Sequence, residues 1–219
     1  MDNKQEIPFT QEILRKGIHL ISLSIPVIYI FVTRELALLV LIPLAILFII
    51  LDLLSKKETP VRYLVFKLFG KMLRPHETDD KLVFNGATWV LLSACFMVLV
   101  FPKVLTVTSF SILIISDISA AIFGRRYGMH RLFTKSWEGT LAFIISAIVV
   151  VFVYGVIFNA PVFFFIAGII ASVISGFVEA ASAVMKIDDN FSIPVSFGII
   201  MWIGSVVAAF FSQGYLYLI

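Results

Sequence analysis

The sequence contains few charged residues and almost no cysteine. Only 14% of its 219 residues are Asp, Glu, Lys or Arg, whereas 60% are hydrophobic, and the mean hydropathy is +1.05. A soluble domain has about a quarter of its residues charged, so this composition excludes one and predicts an integral membrane protein. The single cysteine, Cys95, lies within an apolar run, and one cysteine excludes an intrachain disulfide.

Several common motifs are also missing. Residues 1–10 contain neither an apolar segment nor a cleavage site, so no removable signal peptide is expected. No GxxxxGK[ST] run, kinase glycine-rich loop or HRD/DFG set occurs, which excludes the common soluble nucleotide-binding folds. The sequence also lacks a Cys/His cluster of the kind that binds zinc.

Seven apolar segments approach the ~20 residues that cross a bilayer core. We therefore predict an all-α membrane protein, folded as one integral membrane domain over residues 1–219. Pro26 and Pro43 are expected to kink their helices, which neighbouring helices in a membrane tolerate. The predicted spans are Gly17–Thr33, Glu35–Leu54, Phe84–Phe101, Val104–Phe123, Leu141–Phe158, Val162–Met185 and Ile193–Phe211.

The basic residues are divided unevenly between alternate loops. With the N-terminus inside, only Arg34 and Lys103 fall on outer segments. The inner segments hold Lys4, Arg15, Lys16, Lys56, Lys57, Arg62, Lys67, Lys71, Arg74, Lys81, Arg125, Arg126, Arg131, Lys135 and Lys186. Cytoplasmic loops carry such an excess, so we expect a cytoplasmic N-terminus and an external C-terminus. Membrane topology thus accounts for the pI near 9.0, and no nucleic-acid partner is expected.

The segment between the second and third spans, about residues 58–83, predicts an interfacial helix followed by a loop. Pro60 suits a first helical turn after Thr59, and Lys67, Lys71 and Arg74 fall on one stripe. An amphipathic helix with a basic stripe lies on anionic lipid without crossing it.

The remaining polar residues follow the same division between the two faces. The inner loops and inner halves of helices hold His19, Asp52, Asn85, Asp117, Glu138, Glu179, Asp188, Asp189 and Asn190, whereas the outer loops are short. A transporter needs polar access from both faces. Polarity at one face favours an enzyme that uses a cytoplasmic solute and a membrane substrate.

The stretch Ser116–Thr140 combines an acid, glycines and cations. Asp117 lies in an apolar run, which is costly and usually functional. The helix is expected to break at Gly124 before Arg125 and Arg126, with Lys135 further along. Glycine allows close approach of a ligand, and Arg and Lys hold phosphate oxygens. This pattern favours a metal–polyphosphate site over anchoring of basic loop residues alone, since anchoring does not need the acid.

Two groups nearer the N-terminus allow two interpretations each. Arg15, Lys16 and His19 share a helical face, which fits either phosphate binding or snorkelling cations beside a hydrogen-bonded histidine. Asn85 and Gly86 open the third span, where Asn is a natural cap and the helix N-terminus also favours an anion.

Two acidic groups lie nearer the C-terminus. Glu179, in the inner half of its span, must be paired, protonated or bound to a metal. Asp188, Asp189 and Asn190 offer hard oxygen ligands of the kind that Mg²⁺ takes. The alternative is a solvated turn before a helix that starts near Pro194.

These residues together resemble the polyprenol kinase family, which contains dolichol kinases, phytol kinases and CTP-dependent diacylglycerol kinases. The resemblance is carried, in order along nearly the whole chain, by Arg15-Lys16-x-x-His19, Asn85-Gly86, Asp117-x-x-x-Ala121-x-x-Gly124-Arg125-Arg126-x-Gly128, Lys135-Ser136-x-Glu138-Gly139, Glu179 and Asp188-Asp189-Asn190-x-x-Ile193-Pro194. It implies a multi-span membrane enzyme that transfers a phosphate, typically from CTP, to a lipid alcohol with a divalent metal.

The resemblance implies a role for each of these residues. Asp117 and Asp188 are expected to bind Mg²⁺ or another divalent cation. Asp189 or Glu179 is expected to accept the alcohol proton, and Glu138 to orient Lys135 or a metal-bound water. CTP or the lipid is expected to contact Arg15, Lys16, His19, Asn85, Gly124, Arg125, Arg126, Gly128, Lys135 and Asn190.

Two other functions remain open at the level of sequence. Phosphatidate cytidylyltransferases share the Gly-Arg and Lys-x-x-Glu-Gly features, but this chain lacks their C-terminal Lys-Arg pair and Gly-His-Gly-Gly segment. A small membrane carrier would use Asp117 as a substrate or proton site. The sequence identifies neither the alcohol, which is dolichol, phytol, another isoprenoid or diacylglycerol, nor the preferred metal, and it leaves a homo-oligomer open.

Overall fold

A computed structural model describes residues 9–57, 60, 62, 63, 67 and 84–219. Residues 9–57 and 84–219 form eight helices and one short hairpin, so the predicted all-α membrane fold is confirmed. The elements are α1 (Phe9–Ile21), α2 (Ser24–Phe31), α3 (Arg34–Ser55), α4 (Gly86–Val100), α5 (Lys103–Tyr127), β1 (Arg131–Leu132), β2 (Lys135–Ser136), α6 (Trp137–Ile157), α7 (Val162–Met185) and α8 (Asp189–Ala209). The predicted interfacial helix and loop, about residues 58–83, fall almost entirely outside the described residues. The four positions of this segment that are described, 60, 62, 63 and 67, are helical.

Six segments of the described chain are long and apolar enough to cross a membrane. They are Leu14–Phe31, Arg34–Ser55, Lys103–Tyr127, Trp137–Ile157, Val162–Met185 and Asp189–Ala209. The chain is therefore a multi-pass membrane protein.

The predicted third span is the shorter helix α4, of 15 residues. At one end the Asn85 amide reaches the Asp52 carboxylate of α3 at 2.7 Å. At the other end Arg34 donates to the Phe101 carbonyl at 2.9 Å. Helix α4 thus runs between the same two ends as α3, and it connects opposite faces of the bundle as the predicted third span would.

The predicted first span consists of two helices, α1 and α2. The chain turns at Ser22 and Leu23, whose amides bond the carbonyls of His19 and Leu20 at 2.9 and 3.0 Å. Pro26 lies in the first turn of α2, where its missing N–H removes no helical hydrogen bond. The expected kink at Pro26 is therefore replaced by a break before it.

Helix α5 forms the centre of the bundle and is buried from Val104 to Ile114. Two of its buried hydroxyls bond carbonyls of their own helix: Thr108 bonds Val104 at 2.8 Å and Ser109 bonds Leu105 at 2.6 Å. The predicted break at Gly124 is wrong, because α5 continues to Tyr127. Helix α8 likewise begins at Asp189, ahead of the predicted Ile193.

The helix ends separate the charged groups into two sets. The cations predicted outside, Arg34 and Lys103, bond the carbonyls of Phe101 and Ile30 at 2.9 and 2.8 Å. The opposite end of the bundle, where α4, α6 and α8 begin, carries the candidate site residues.

Candidate active site

The first part of the site is an ion pair between α1 and α5. The Lys16 ammonium binds the Asp117 carboxylate, and both side chains are more than nine-tenths buried. His19, one turn after Lys16, brings Nε2 to 3.8 Å from the same carboxylate oxygen. The shared helical face predicted for Lys16 and His19 therefore points at Asp117, and an acid deep in α5 is balanced by a cation from another helix, as burial requires.

The second part of the site surrounds Lys135, which extends from β2. Its ammonium binds the carboxylate of Glu179 on α7 and lies 3.6 Å from an Asp189 oxygen at the start of α8. The side chain of Lys135 is 30% exposed, whereas that of Glu179 is 2% exposed. Burial lowers the pKa of Lys135, but the neighbouring carboxylates, Glu179 first, outweigh burial and raise it above its ordinary value.

These two parts form one group of charges. The charges of Asp189 and Lys135 both act on Asp117, and Asp189 also acts on His19. We call the set the charged cluster: Lys16, His19, Asp117, Lys135, Glu179 and Asp189. It joins five elements, so residues far apart in sequence meet at one place.

Two buried polar atoms of the charged cluster lack a hydrogen-bond partner among the described residues. They are His19 Nε2 and Glu179 Oε2. Ser116 Oγ, adjacent to Asp117 in sequence, is buried and unbonded in the same way. Because most buried polar atoms are hydrogen-bonded, such atoms mark a place where a ligand or water can be accommodated.

A short hairpin positions Lys135. Strands β1 and β2 pair Leu132 with Lys135, and Phe133 adopts the left-handed conformation (φ 53°) in the turn. Ser136 then caps α6 by accepting from the Gly139 amide at 3.2 Å. The end of the hairpin is thus fixed to the start of α6, and Lys135 is directed toward α7 and α8.

Glu138 supports the loop that leads into the hairpin. Its carboxylate is 2.7 Å from Nδ1 of His130 and 3.3 Å from the His130 amide. The sequence assigned Glu138 to orienting Lys135 or a metal-bound water; in the structure its contacts are with His130, and Glu179 and Asp189 contact Lys135.

The glycines predicted to approach a ligand lie in the contact between α5 and α6. A Cβ on Gly124 would be 3.1 Å from Ser136 Oγ and 3.3 Å from the Gly139 Cα. On Gly128 it would be 2.2 Å from the Gly124 carbonyl and 2.7 Å from Ser136 Oγ. A Cβ at Gly128 would therefore overlap its neighbours, and one at Gly124 would be tightly packed, so both glycines contribute to this close contact.

The predicted arginines lie on α1 and at the end of α5. Arg125 and Arg126 are exposed at the end of α5, and the Arg126 guanidinium lies 5.5 Å from the Tyr127 ring centre. Arg15 is partly buried on α1, and its charge acts on His19.

Asp188 and Asn190 form a cap at the start of α8. Asp188 Oδ1 accepts from the amide and the side chain of Asn190, at 3.0 and 2.8 Å. The Asn190 side chain lies near Gly86, where an added Cβ would be 3.7 Å from its nitrogen. The starts of α4 and α8 are therefore neighbours, and Asp188 acts as a helix cap.

Asp52 is a buried acid that the sequence showed on the inner side but did not assign to the site. It is 3% exposed and accepts from the Asn85 amide at 2.7 Å and from Thr88 Oγ1 at 3.1 Å. The Asn85 side chain caps the same helix by accepting from the Thr88 amide at 3.0 Å. The amides of Asn85 and Thr88 are therefore already bonded at the start of α4. The sequence feature that could have revealed Asp52 is a carboxylate near the end of an apolar helix.

The donor set of the charged cluster fits a hard divalent cation that brings its own phosphate ligands. Within the described residues, no group of three or more His, Cys, Asp or Glu is arranged to hold a metal by itself. Mg²⁺ is usually bound by one or two carboxylates together with water and substrate phosphates. Asp117 and Asp189 are within electrostatic reach of each other, and Glu179 Oε2 is a buried oxygen without a hydrogen-bond partner.

Comparison with known proteins gives two relatives. No family profile and no solved structure matches the chain. The chain is 36% identical over 95 residues to a phytol kinase from Synechocystis sp., a match that covers 39% of this chain and 38% of that enzyme. This partial match supports a relationship to polyprenol and phytol kinases, in agreement with the resemblance of the motifs.

The second relative is matched over most of its length. The chain is 32% identical over 193 residues to the uncharacterized protein RP860 of Rickettsia prowazekii, a match that covers 86% of this chain and 92% of that protein. The chain therefore belongs to the same family as this Rickettsia protein.

Proposed function

We propose that the chain is a lipid kinase that transfers the γ-phosphate of CTP to the hydroxyl of a membrane alcohol, either an isoprenoid such as dolichol or phytol, or diacylglycerol. The observation that carries the proposal is the charged cluster, in which two lysines and three carboxylates meet among membrane helices. The partial similarity to a phytol kinase supports lipid phosphorylation. The choice of CTP rests on the resemblance to polyprenol kinases.

Phosphoryl transfer depends on positioning and on neutralising the phosphate charge. The 30% exposure of the Lys135 side chain supports a role in which it would receive the triphosphate from the aqueous side. Lys16 and His19 lie on the other side of the cluster, against Asp117. An arriving phosphate would compete with the carboxylates for the two lysines, and charge-assisted bonds to phosphate are strong.

We assign Asp117 and Asp189 as the carboxylates that would hold a divalent cation. The sequence favoured Asp188 as the second ligand, but Asp188 accepts two hydrogen bonds from Asn190 and caps α8. Asp189 lies in the charged cluster, with an oxygen 3.6 Å from the Lys135 ammonium, and its charge also acts on Asp117. When bound, the cation would neutralise charge on the β- and γ-phosphates.

Glu179 is our choice for the base. Its Oε1 is held by Lys135, while Oε2 is buried and has no hydrogen-bond partner among the described residues. In the proposed reaction the alcohol oxygen bonds to the γ-phosphorus, the bond to the β,γ-bridging oxygen breaks, and CDP leaves. The alcohol proton passes to Glu179 Oε2. Asp189, with 12% of its side chain exposed, is nearer the aqueous side and suits the nucleotide.

The sidedness of the reaction is part of the proposal. Cations that the positive-inside rule assigns to the cytoplasm lie at the same end of the bundle as the charged cluster. We therefore place CTP in the cytoplasm and the lipid hydroxyl in the inner leaflet, with the lipid tail between helices.

The test is incubation of the purified chain with γ-labelled CTP and a panel of lipid alcohols. We expect label in an isoprenoid alcohol or in diacylglycerol, and no label with an Asp117→Asn variant prepared in the same way. That variant controls for contaminating kinases. Transfer of the α-phosphate of CTP, with release of pyrophosphate, would establish a cytidylyltransferase, and no transfer to any lipid would refute lipid kinase activity on this panel.

A further inference from the structure

The loop between α5 and α6 exposes apolar and basic side chains together. Met129 is 82% exposed and Phe133, in the hairpin turn, 57% exposed. Tyr127 is 54% exposed, and the exposed Arg126 lies over its ring. With the exposed Arg131, these five residues form what we call the hairpin patch.

The position of the hairpin patch is fixed by its neighbours. Helices α5 and α6 are both long and apolar enough to cross a membrane. The patch comprises the last two residues of α5, Arg126 and Tyr127, and three residues of the loop that leads to Trp137, the first residue of α6. A loop this short between two spans has to lie at the membrane surface. Trp137 itself packs edge-on against Phe177 at 5.9 Å, which suits an aromatic residue at the interface.

We propose that the hairpin patch binds the headgroups of anionic phospholipids, with Met129 and Phe133 inserted at the boundary between headgroups and acyl chains. Apolar side chains are stable at that depth, and arginines there attract acidic headgroups. A soluble polyphosphate shares the phosphate chemistry, but it gives no reason for the exposed Met129 and Phe133. This inference goes beyond the kinase proposal and does not depend on it.

The test measures lipid selectivity of the full chain in vesicles. Spin-labelled phosphatidylglycerol and phosphatidylcholine report, by electron paramagnetic resonance, how strongly each lipid associates with the protein. We expect a preference for phosphatidylglycerol that falls at least twofold in Arg126→Gln and in Arg131→Gln. Lys186→Gln removes one exposed charge at the same end of the bundle and should leave the preference unchanged. Thermal melts would verify that all three variants fold.

Two further measurements address the inserted side chains and the competing ligand. A fluorophore on Phe133→Cys, in a Cys95→Ala background, should be quenched by lipids labelled near the headgroup and less by lipids labelled deep in the chain. CTP at millimolar concentration should not reduce the preference for phosphatidylglycerol. An equal effect of all three charge variants, displacement by CTP, or a fluorophore that no lipid quenches would overturn the proposal.

Discussion

Lys135 is the residue whose contacts connect the exposed loops to the buried helices. Its ammonium binds the buried carboxylate of Glu179 and lies 3.6 Å from an Asp189 oxygen, so the partly exposed hairpin is joined to α7 and α8. The resulting rise in its pKa has a consequence for activity. A lysine whose pKa is above the ordinary value stays charged at every pH that the protein is normally exposed to.

We therefore predict that Lys135→Ala raises the KM for CTP about tenfold to a hundredfold, since a charge-assisted bond contributes about 1.5–3 kcal/mol. In the parent, this KM should not rise between pH 7 and 9.5, because deprotonation of Lys135 begins only above the ordinary lysine pKa. Lys186→Ala is the control. An equal rise in the KM for CTP in the control would contradict this role. So would a rise in this KM below pH 9.5 that is present in the parent and absent in Lys135→Ala.

Asp117 and Asp188 can be separated by the same substitution. Asp117→Asn removes the charge of a proposed metal ligand, so we expect near-complete loss of phosphoryl transfer and at most partial rescue by excess Mg²⁺ or Mn²⁺. Asp188→Asn keeps a side chain that caps helices equally well and should stay within a few-fold of the parent. Turnover across a metal titration measures both. If Asp188→Asn lost more activity than Asp117→Asn, Asp188 would be the metal ligand.

Glu179 and Asp189 differ in burial, and their variants should differ in kinetics. Glu179→Gln can still accept a hydrogen bond from Lys135 but cannot take a proton. We expect kcat to fall roughly 10²–10⁴-fold, as for loss of a general base, with the KM for CTP within a few-fold. Asp189→Asn should mainly raise the KM for CTP. Steady-state kinetics with the alcohol that the enzyme phosphorylates measures kcat and the KM for CTP of both variants. If Glu179→Gln changed only the KM, Glu179 would be excluded as the base.

At the scale of elements, the contact between α5 and α6 holds the hairpin that carries Lys135. A Cβ on Gly139 would lie 3.0 Å from the Ala120 carbonyl and 3.1 Å from the Gly124 Cα. These are backbone atoms of α5, which cannot move without moving the helix. Gly124 and Gly139 thus take part in a close contact between two helices, whereas the ligand-binding role predicted for the loop stays a prediction.

We predict that Gly139→Ala destabilises the protein by about 1–3 kcal/mol, the usual cost of overpacking, and weakens CTP use through Lys135. Gly17→Ala is the matched control, because an added Cβ there meets nothing within 4 Å. Alanine is the better helix former by up to about 1 kcal/mol, so this control should be neutral or stabilising. Thermal unfolding in detergent compares the two, and equal melting temperatures would refute tight packing at Gly139.

The sequence predicted helices well and their ends less well. Long apolar runs identify spans, but α5 continues past Gly124, where that glycine lies against Gly139 of α6, a contact between two helices that a local pattern does not show. The start of α8 depends similarly on the cap that Asp188 forms. The six side chains of the charged cluster were all identified from the sequence as candidate site residues. Which of them contact each other could not be predicted from the sequence, because Lys16 and Asp117, for example, are 101 positions apart.

At the scale of the whole molecule, charge is divided between the two ends of one helical bundle. The end that carries the charged cluster also carries Asp52 and the hairpin patch, while Arg34 and Lys103 hold the connections at the other end. This division requires that α4 cross the bundle. Without that crossing, the cations that follow α4 in the sequence would lie at the opposite end from those that precede it. The proposed reaction with cytoplasmic CTP therefore depends on the predicted orientation of the helices.

The orientation can be tested with single cysteines in a Cys95→Ala background. We predict that Asn159→Cys, in the loop between α6 and α7, reacts with an impermeant thiol reagent added outside intact cells. Lys57→Cys, exposed just after α3, should react only after the membrane is permeabilised, because it lies at the end that holds the charged cluster. Both positions are exposed, so a lack of reaction reports the membrane barrier and not burial. The reverse pattern would move the charged cluster to the outer face, where cytoplasmic CTP could not reach Lys135, and the proposed reaction would be excluded with it.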